Sequence, residues 1–238
     1  MCGRFTSTAS PEELMRQFGV SILQNLRPRW NVAPTQSAVI IRQDGLHTEA
    51  VQAKWGLPPA TSKQSFLINA RMETVQEKVT FRDAFQYSRC IVPASGWYEW
   101  SGPKQPWHIQ RRDAQNMAMA GLLFRRAEST HFVIVTSAAD GDLQNIHHRV
   151  PLVVPQKDCQ AWLNGSTEQA LALCCQAPSS LFNWYRVSAA VGKVAADHPG
   201  LVTPLSAEDV AREAHEAQIP KSVSQKAKSD EGQGDLFG

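Results

Sequence analysis

Across its middle the sequence reads Arg89-Cys90-Ile91-Val92-Pro93-Ala94-Ser95-Gly96-Trp97-Tyr98-Glu99-Trp100, which contains two strand-like runs. Cys90–Pro93 is apolar and partly β-branched, and Gly96–Trp100 is rich in aromatic residues; both compositions favour β-strands. Similar runs, bounded by Gly, Pro, Asn and Asp, occur on both sides at Ala38–Ile41, Met117–Phe124, Phe132–Thr136 and Val150–Val154. The pattern therefore predicts a series of short strands.

Short helices are predicted between these strands. Ser10-Pro11-Glu12-Glu13 is a capping box with Pro at the first helical position, and Leu14 and Phe18 follow on one helical face. The other helix signals are capping boxes at Thr80 with Asp83 and at Ser166 with Gln169, a helix opened by Pro155 that ends near Asn164-Gly165, and a last helix at Ala207–Ala217. Strands and helices mixed in this irregular order predict an α+β fold.

Composition and charge narrow the class of protein. With 238 residues, 42% of them hydrophobic, the chain can bury the core of one domain. The five Cys residues form no C-x-x-C pair and are odd in number, so we expect a reducing cytoplasm, no metal and no cofactor. No apolar run resembles a signal peptide or reaches membrane-spanning length, so no membrane association is expected. The net charge of +2 does not decide for or against nucleic acid.

Cys2 can become a reactive N-terminal residue because it follows the initiator Met1. Removal of Met1 would leave an α-amine and a thiol on one residue, and their ordinary pKa values predict that both are partly available at neutral pH. Such a pair condenses with an aldehyde to an imine and then closes to a five-membered thiazolidine. In an arbitrary protein, however, Cys2 is far more often only a small residue after the start codon.

The surrounding sequence changes that balance. Seven ordered blocks read Cys2-Gly3-Arg4-Phe5, Trp30-Asn31-Val32-Ala33-Pro34, Lys54-Trp55-Gly56-Leu57, Asn69-Ala70-Arg71-Met72-Glu73-Thr74, Arg89 to Trp100 as quoted above, Thr136-Ser137-Ala138-Ala139, and Ile146-His147-His148-Arg149-Val150-Pro151. In this order they closely resemble the SRAP (SOS response-associated peptidase) family. One departure is Val150, which stands where the family usually has Met and exchanges one apolar side chain for another.

The resemblance implies both a fold and an activity. The fold is a single SRAP-like domain over residues 1–218, with mixed, mainly antiparallel β-sheets forming an open barrel-like core flanked by short helices. The activity is covalent crosslinking to abasic sites in single-stranded DNA through Cys2, which shields the lesion. Whether the imine also cleaves the strand by β-elimination, an AP lyase activity, is left open by the sequence. The peptidase name of the family reflects the apparent removal of its own N-terminus, here Met1.

Three further residues receive catalytic roles from the resemblance. Glu99 is expected beside the Cys2 amine, where it would move protons, although by pattern alone a surface Glu is the better interpretation. Asn69 would hold the Cys2 amine or the sugar hydroxyls, or else cap a turn. His147, aligned by Ile146 and Arg149 and distinguished from His148, would help open the closed sugar, although a lone His is more often packed or superficial.

The DNA-contact candidates come from the same blocks. Arg4, Arg71 and Arg149 can bind phosphate through a planar guanidinium, with Arg71 the preferred contact. Aromatic side chains can stack on bases of any sequence, although core packing is the competing interpretation. The remaining candidates are Trp30, Trp55 and Trp97 for stacking, and Asn31, Pro34 and Thr136 for further contacts. The other cysteines, Cys90, Cys159, Cys174 and Cys175, are interpreted as small buried hydrophobes.

Two alternative functions stay open at this point. The first is a peptidase that uses Cys2 as an N-terminal nucleophile with Glu99 and His147 as acid-base partners. The second is a non-covalent reader of single-stranded or modified DNA in which Cys2 has no chemical role. A peptide-hydrolysis assay and mass spectrometry of DNA incubated with the protein separate these from the crosslinker.

The C-terminal residues 219–238 are polar and predict a disordered tail. Within it, Gln233-Gly234-Asp235-Leu236-Phe237 resembles the pentapeptide with which bacterial repair proteins dock on the sliding clamp, and Gln233, Leu236 and Phe237 would make the contacts. A chance match of five residues is the alternative. We expect a cytoplasmic monomer that associates with the nucleoid or with replication forks.

Overall fold

The computed structural model describes residues 2–20, 26–59, 65–126 and 129–218. β-Strands are the main regular elements of this part of the chain, with lengths of two to ten residues. The strands are β1 (Arg4–Ser7), β2 (Arg29–Val32), β3 (Ser37–Asp44), β4 (His47–Trp55), β5 (Asn69–Arg71), β6 (Arg89–Ala94), β7 (Gly96–Trp100), β8 (Pro106–Arg111), β9 (Met117–Arg126), β10 (Ser129–Ala138), β11 (Arg149–Pro151), β12 (Val153–Val154) and β13 (Phe182–Arg186).

The larger of the two sheets in the described chain closes on itself. Its central strands pair in the order β10-β4-β3-β6-β9, and β9 pairs back with β10. All of these pairings are antiparallel except β4 with β10, which is parallel. The ring is therefore a small mixed barrel, and closure leaves its central strands without an open edge. The predicted α+β class with a mainly antiparallel barrel-like core is confirmed, with the barrel closed rather than open.

Alternate residues of the barrel strands enter two different buried clusters, as the period of two in a strand requires. Ile41, Ile91 and Val133 belong to a cluster that also contains side chains of the helices. Ile40 and Ile134 belong to a second cluster, which the barrel shares with β1 and β7 of the smaller sheet. The barrel wall is thus buried on both of its faces, which explains why its strands read as nearly continuous apolar runs.

The smaller sheet has the strand order β13-β8-β7-β1-β2 and is antiparallel throughout. Trp97 of β7 lies opposite Phe5 of β1 and Ile109 of β8. These three side chains belong to the second cluster, which the smaller sheet shares with the barrel. Tyr98 alternates to the other face and packs with Val187 and its neighbours. The two runs of the quoted stretch, β6 and β7, therefore belong to different sheets, and the bend at Ser95 carries the chain from one to the other.

Four helices contribute side chains to the cluster that contains Ile41, Ile91 and Val133. They are α1 (Pro11–Phe18), α2 (Val79–Tyr87), α3 (Cys159–Asn164) and α4 (Thr167–Ala172), and a fifth helix, α5 (Ala207–Gln218), follows later in the chain. The capping boxes at Ser10 and Ser166 are confirmed, with each hydroxyl accepting from the backbone three residues later. Leu14 and Phe18 are both buried, as their spacing predicts.

Three details of the helix and strand predictions are wrong. Thr80 is not a cap, because α2 already begins at Val79. Pro155 precedes a 3-10 turn at Gln156–Asp158, and the α-helix starts only at Cys159, although it ends at Asn164 as predicted. The run Val150–Val154 is divided between β11 and β12 because these strands pair with different partners, β10 and β9.

The chain divides into a compact unit that ends at Thr203 and a second that begins at Pro204, of which the structure describes α5. Whether α5 belongs to the predicted domain over residues 1–218 stays a prediction. Among the described helices, none is long and apolar enough to cross a membrane.

Arg89 holds two helices against the barrel. Its guanidinium is buried and donates to the carbonyl oxygens of Phe85 at 2.6 Å and Trp162 at 2.5 Å, and also to that of Gly165. Phe85 lies in the last turn of α2, and Trp162 and Gly165 lie at the end of α3, where carbonyls have no partner within the helix. The Arg89 guanidinium thus supplies hydrogen-bond donors to carbonyl groups at the ends of both helices.

Arg89→Met should lower the free energy of unfolding by about 3 kcal/mol, because several buried carbonyls would lose their donors. Urea denaturation followed by circular dichroism measures this loss. Arg82→Met on α2 is the matched control, since Arg82 is mostly exposed and its pair with Asp83 should contribute less than about 0.5 kcal/mol. Equal losses in the two variants would show that the Arg89 bonds do not anchor the helices.

Candidate functional site

The last residues of β10 organise one side of the site. The first half of β10 pairs with β4 and β9, whereas Ile134–Thr136 pairs with β5 and Thr136–Ala138 pairs with β11. Asn69 opens β5, and His147 lies two residues before β11. β10, which closes the barrel, therefore has the segments of Asn69 and His147 at its two edges, although they are far apart in the sequence.

Cys2 enters this region from the smaller sheet. It lies just before β1, is fully buried, and its carbonyl oxygen accepts a hydrogen bond from Asn69 Nδ2 at 3.0 Å. Burial, together with the Glu99 carboxylate, raises the pKa of the Cys2 thiol well above its usual range. The expectation of a thiol partly ionised at neutral pH without special surroundings is therefore wrong, because the buried thiol is protonated and needs a base.

Glu99 is a buried carboxyl on β7. Its side chain is 3% exposed, on the same face of the sheet as Trp97, and its Cα partner on β8 is Trp107. Burial raises the pKa of Glu99 to about 7, because the charged form loses its hydration. The interpretation as an outward-facing surface Glu is thus wrong, and the carboxyl can accept or release a proton near neutral pH.

His147 is half-buried and His148 is exposed, with their rings stacked at a centroid distance of 4.4 Å. Nδ1 of His147 lies 3.0 Å from the Arg149 backbone nitrogen and 3.2 Å from the Arg149 carbonyl oxygen, so the Arg149 backbone holds this side of the ring. Burial lowers the pKa of His147, so the neutral ring predominates at pH 7. The motif alignment that distinguished His147 from His148 agrees with this difference in surroundings.

Arg149 is held by an acidic partner. Its Nη1 and Nη2 lie 2.5 Å and 3.0 Å from the two carboxylate oxygens of Glu73, and Nη2 also donates to Thr136 Oγ1 at 3.2 Å. Thr136 is fully buried and its hydroxyl donates to the Ala70 carbonyl at 3.4 Å. In this arrangement Arg149 and Thr136 connect β5, β10 and β11, so both have a structural role, and a DNA contact by either stays a prediction.

Several buried polar atoms of these motifs lack a hydrogen-bond partner among the described residues. They are Asn69 Oδ1, Trp97 Nε1, Ser137 Oγ and Arg149 Nε. A buried unpaired polar atom is costly, and in native proteins it commonly marks a site that water or a ligand completes. Their concentration in the motif segments supports a ligand site there.

Arg4 and Asn31 are engaged in hydrogen bonds within the protein. Arg4 Nη1 donates to Asn31 Oδ1 and to the Val191 carbonyl, both at 2.9 Å, and Asn31 Nδ2 donates to the carbonyls of Val191, Lys193 and Ala196. Asn31 is fully buried. These two candidates for DNA contact thus anchor the segment around residues 191–196 to β1 and β2.

The tryptophan candidates differ in their access to solvent. Trp55 and Trp97 are fully buried: Trp55 packs edge-on against Phe5, and Trp97 packs edge-on against Phe182. Core packing therefore accounts for both. Trp30 is half-buried, so its ring retains a surface that could stack on a base.

Pro34 occupies a turn with unusual backbone geometry. The Gln36 N–H donates to the Ala33 carbonyl, and Thr35 between them has a φ of 75°, a left-handed conformation that is unfavourable for a β-branched residue. The Thr35 N–H is held by the Trp55 carbonyl at 2.8 Å. The half-buried Pro34 ring is thus presented on a braced turn, and such strain often accompanies a functional site.

Arg71 is the exposed cation of the set, and no ion pair or hydrogen bond of its side chain is found within the described ranges. Gln233, Leu236 and Phe237 lie outside those ranges. Cys90 and Cys159 are buried as expected, whereas Cys175 is exposed, so its interpretation as a buried hydrophobe is wrong. No group of three or more His, Cys, Asp or Glu suited to a metal ion occurs in the described part of the chain.

Sequence reasoning gave no role to two residues that the structure singles out. Glu73 binds Arg149, and only its place between Arg71 and Thr74 in a matched block could have indicated it. Asp197 accepts from the backbone N–H groups of Trp30 and Asn31 and pairs with Arg29. Asp197 lies outside every matched block, so the sequence carried no signal for it.

Comparison with known proteins places the chain among relatives of similar length. It is 32% identical to the abasic site processing protein YedK of Escherichia coli over 222 residues, which cover 86% of this chain and 100% of that protein. It is 33% identical to the abasic site processing protein YoaM of Bacillus subtilis over 182 residues, covering 69% of this chain and 79% of that protein.

Solved structures show the same fold. A protein from Bacteroides thetaiotaomicron superposes with a TM-score of 0.73 at 22% identity, covering 86% of this chain and 100% of that one. A phage-related protein from Bordetella bronchiseptica superposes with a TM-score of 0.67 at 29% identity, covering 78% and 94%. The sequence model of the SOS response associated peptidase (SRAP) family matches residues 1–194. The chain therefore belongs to the SRAP family.

Proposed function

We propose that this chain recognises abasic sites in single-stranded DNA and captures them as a thiazolidine through Cys2 after removal of Met1. The names of its relatives, which are called abasic site processing proteins, support the substrate. The chemistry of an aminothiol, which reacts selectively with aldehydes, supports the covalent step.

One observation carries the proposal: the backbone of Cys2 is held by Asn69 while the buried carboxyl of Glu99 acts electrostatically on its thiol. These three residues come from β1, β5 and β7 regions far apart in the chain. A thiol needed only for packing would not require a buried carboxyl near it, since burying that group costs free energy. The arrangement suits a reaction in which the Cys2 thiol gives up its proton to a nearby carboxyl, which later donates it back.

The first stage is formation of the imine. An abasic deoxyribose is mostly a closed hemiacetal, and ring opening needs a proton donor for the ring oxygen and an acceptor for the hydroxyl proton. His147, whose Nδ1 is held by the Arg149 backbone, would direct Nε2 toward the sugar and, with a proton on that nitrogen, donate it to the ring oxygen. The Cys2 amine then attacks the aldehyde carbon, its proton passes to the oxygen, and loss of one water leaves a carbon–nitrogen double bond.

The second stage is ring closure by the thiol. The sulfur attacks the imine carbon while the thiol proton passes to Glu99 and from there to the nitrogen, so no net proton is gained or lost. A carboxyl with a pKa of about 7 is suited to both transfers at neutral pH. Because closure removes the double bond, it also stops the β-elimination through which an imine would cleave the strand. Any AP lyase activity would therefore reflect imines that have not yet closed.

DNA would approach from the exposed side of these residues. Arg71, beside Asn69 on β5, is placed to neutralise a backbone phosphate next to the lesion. Pro34 on its braced turn and the half-buried Trp30 can support the neighbouring bases. Arg149 and Arg4 would contribute through structure, since both are engaged by protein groups.

Cys2→Ser should bind single-stranded DNA as the wild type does but form no heat-stable adduct, because a hydroxyl adds poorly to an imine. The amine remains, so strand cleavage by β-elimination should increase. A denaturing gel with an oligonucleotide that carries one abasic site measures both products, and intact mass confirms that the reacting chain begins at Cys2.

Cys175→Ser, a matched change at an exposed thiol, serves as the control and should crosslink normally. Wild-type adduct levels from Cys2→Ser would exclude the thiazolidine. A wild-type chain that binds DNA without any adduct would be a non-covalent reader, and turnover of peptides by purified protein would favour the peptidase alternative.

The rate of crosslinking should depend on Glu99 and on pH. If the carboxylate accepts the thiol proton, the rate constant should fall by about tenfold per pH unit below about pH 7, where Glu99 becomes protonated. Glu99→Gln should slow capture by about a hundredfold or more and leave only the pH dependence of the Cys2 amine, which must be neutral to attack. Single-turnover assays between mildly acidic and mildly basic pH measure it. Glu208→Gln, at an exposed carboxyl, is the control, and a flat wild-type profile would contradict the role of Glu99.

The tail suggests where the protein acts in the cell. We propose that Gln233, Leu236 and Phe237 bind the sliding clamp, which would concentrate the protein at replication forks in the cytoplasm, where abasic sites in single strands arise. Leu236→Ala with Phe237→Ala should abolish binding to purified clamp in a surface-immobilised assay. The control replaces Lys226 and Lys228 with Ala in the same tail. If all three chains bind equally, the pentapeptide is not the ligand.

A further inference from the structure

Glu73 connects two motif segments that carry proposed catalytic residues. It lies in the 3-10 turn Met72–Thr74, directly after β5, and its carboxylate binds both terminal nitrogens of Arg149 at the start of β11. The Glu73 side chain is 44% exposed, whereas that of Arg149 is only 9% exposed. The pair therefore reaches from the surface into the interior between β5 and β11.

At its Arg149 end, the Glu73–Arg149 pair is connected to His147. Arg149 is fixed at its side chain by Glu73 and Thr136, and its backbone N–H is the donor to His147 Nδ1. The Arg149 backbone, which contacts Nδ1 through both its N–H and its carbonyl, fixes the orientation of the imidazole. Movement of Arg149 would therefore turn the ring.

At its Glu73 end, the Glu73–Arg149 pair is connected through β5 to Cys2. Asn69, four residues before Glu73, holds the Cys2 carbonyl, and β5 between them is pinned to β10 by the pairing of Asn69–Arg71 with Ile134–Thr136. Cys2 is thus held by Asn69, the backbone of β5 connects Asn69 to Glu73, and side-chain and backbone contacts lead from Glu73 through Arg149 to His147. Ionised pairs that are partly exposed contribute little to stability, but a two-point carboxylate–guanidinium contact fixes geometry well.

We propose that Glu73 is a positioning residue, which acts through Arg149 to hold the His147 imidazole in register with Cys2 and Asn69 for capture of the sugar. The proposal rests on the function proposed above, in which His147 assists opening of the sugar ring. It also explains why Arg149 is occupied by a carboxylate on the side of the molecule proposed to bind phosphate. Small displacements of a catalytic group cost large factors in rate, so the effect should appear in the capture step rather than in binding.

Glu73→Gln keeps the shape of the side chain and removes its charge. At saturating protein, the rate constant for crosslinking should fall about tenfold or more, while affinity for intact single-stranded DNA is unchanged or higher, since a negative charge has been removed. Glu77→Gln, an exposed carboxyl four residues further on, is the matched control and should behave as the wild type. Wild-type rates for Glu73→Gln, or equal losses of rate and affinity, would overturn the proposal.

A double-mutant cycle tests whether Glu73 acts through Arg149. Arg149→Lys cannot make the two-point contact, so it should slow capture by a similar factor, and adding Glu73→Gln should slow it no further. Additive effects in the double variant would show that Glu73 acts by another route and would overturn the proposal.

The ring of His147 gives a measurement that does not depend on crosslinking. Nitrogen NMR of the wild type should show one tautomer of the neutral His147 ring, and in Glu73→Gln the spectrum should move toward a mixture of both tautomers. An unchanged His147 spectrum in a folded Glu73→Gln chain would refute the positioning role. If the wild type forms no crosslink at all, the proposed function fails, but the NMR comparison still decides whether Glu73 orients His147.

Discussion

The pairing of β10 is the constraint on which the rest of the structure depends. This strand closes the barrel through β4 and β9 and then, beyond the point where those strands end, accepts β5 and β11 on its two edges. Closing a ring of strands sets the register of each member, because a shift of one residue would expose the buried face. The ends of β5 and β11 are therefore placed as rigidly as the barrel itself, and Asn69 and Arg149 occupy those ends.

Rigidity in this region coexists with unfavourable electrostatics. Glu99 and Cys2 are buried close enough for the carboxylate to raise the pKa of the thiol, and burial raises the pKa of Glu99 itself to about 7. Polar atoms of Asn69 and Trp97 are also buried without a partner in the described chain. Groups arranged only for stability would avoid these costs, and proteins tolerate them mainly where a ligand or a reaction uses them.

The cationic and aromatic candidates show that residue type alone does not determine which side chains are free to contact DNA. Arg4, Arg71 and Arg149 were all candidate phosphate contacts, with Arg71 preferred; Arg71 is exposed, while the other two bind protein groups. Trp55 and Trp97 are core residues, as one interpretation of their composition allowed. Burial decides these roles, and burial depends on which strand pairs with which, information that a linear motif does not contain.

Local features of the chain could be predicted from the sequence itself. The Ser10 capping box determines where α1 begins, because the hydroxyl and the Glu13 carboxylate satisfy backbone donors within one turn. The apolar runs identify the barrel strands, since period and composition are properties of neighbouring residues. The ordered motif blocks around Cys2 identify the family, and they placed Asn69, Glu99 and His147 in the candidate site.

Only the tertiary structure decided which of these residues interact and in what state. The sequence predicted an ionisable thiol at Cys2, whereas the fold surrounds it with apolar groups and a carboxyl, so its proton is retained. It gave no sign that Glu73 binds Arg149 or that Asp197 orders β2, because those partners are about 76 and 166 residues apart along the chain. Protonation and ion pairing depend on the dielectric surroundings and on distances in space, which arise only when the sheets close and pack together.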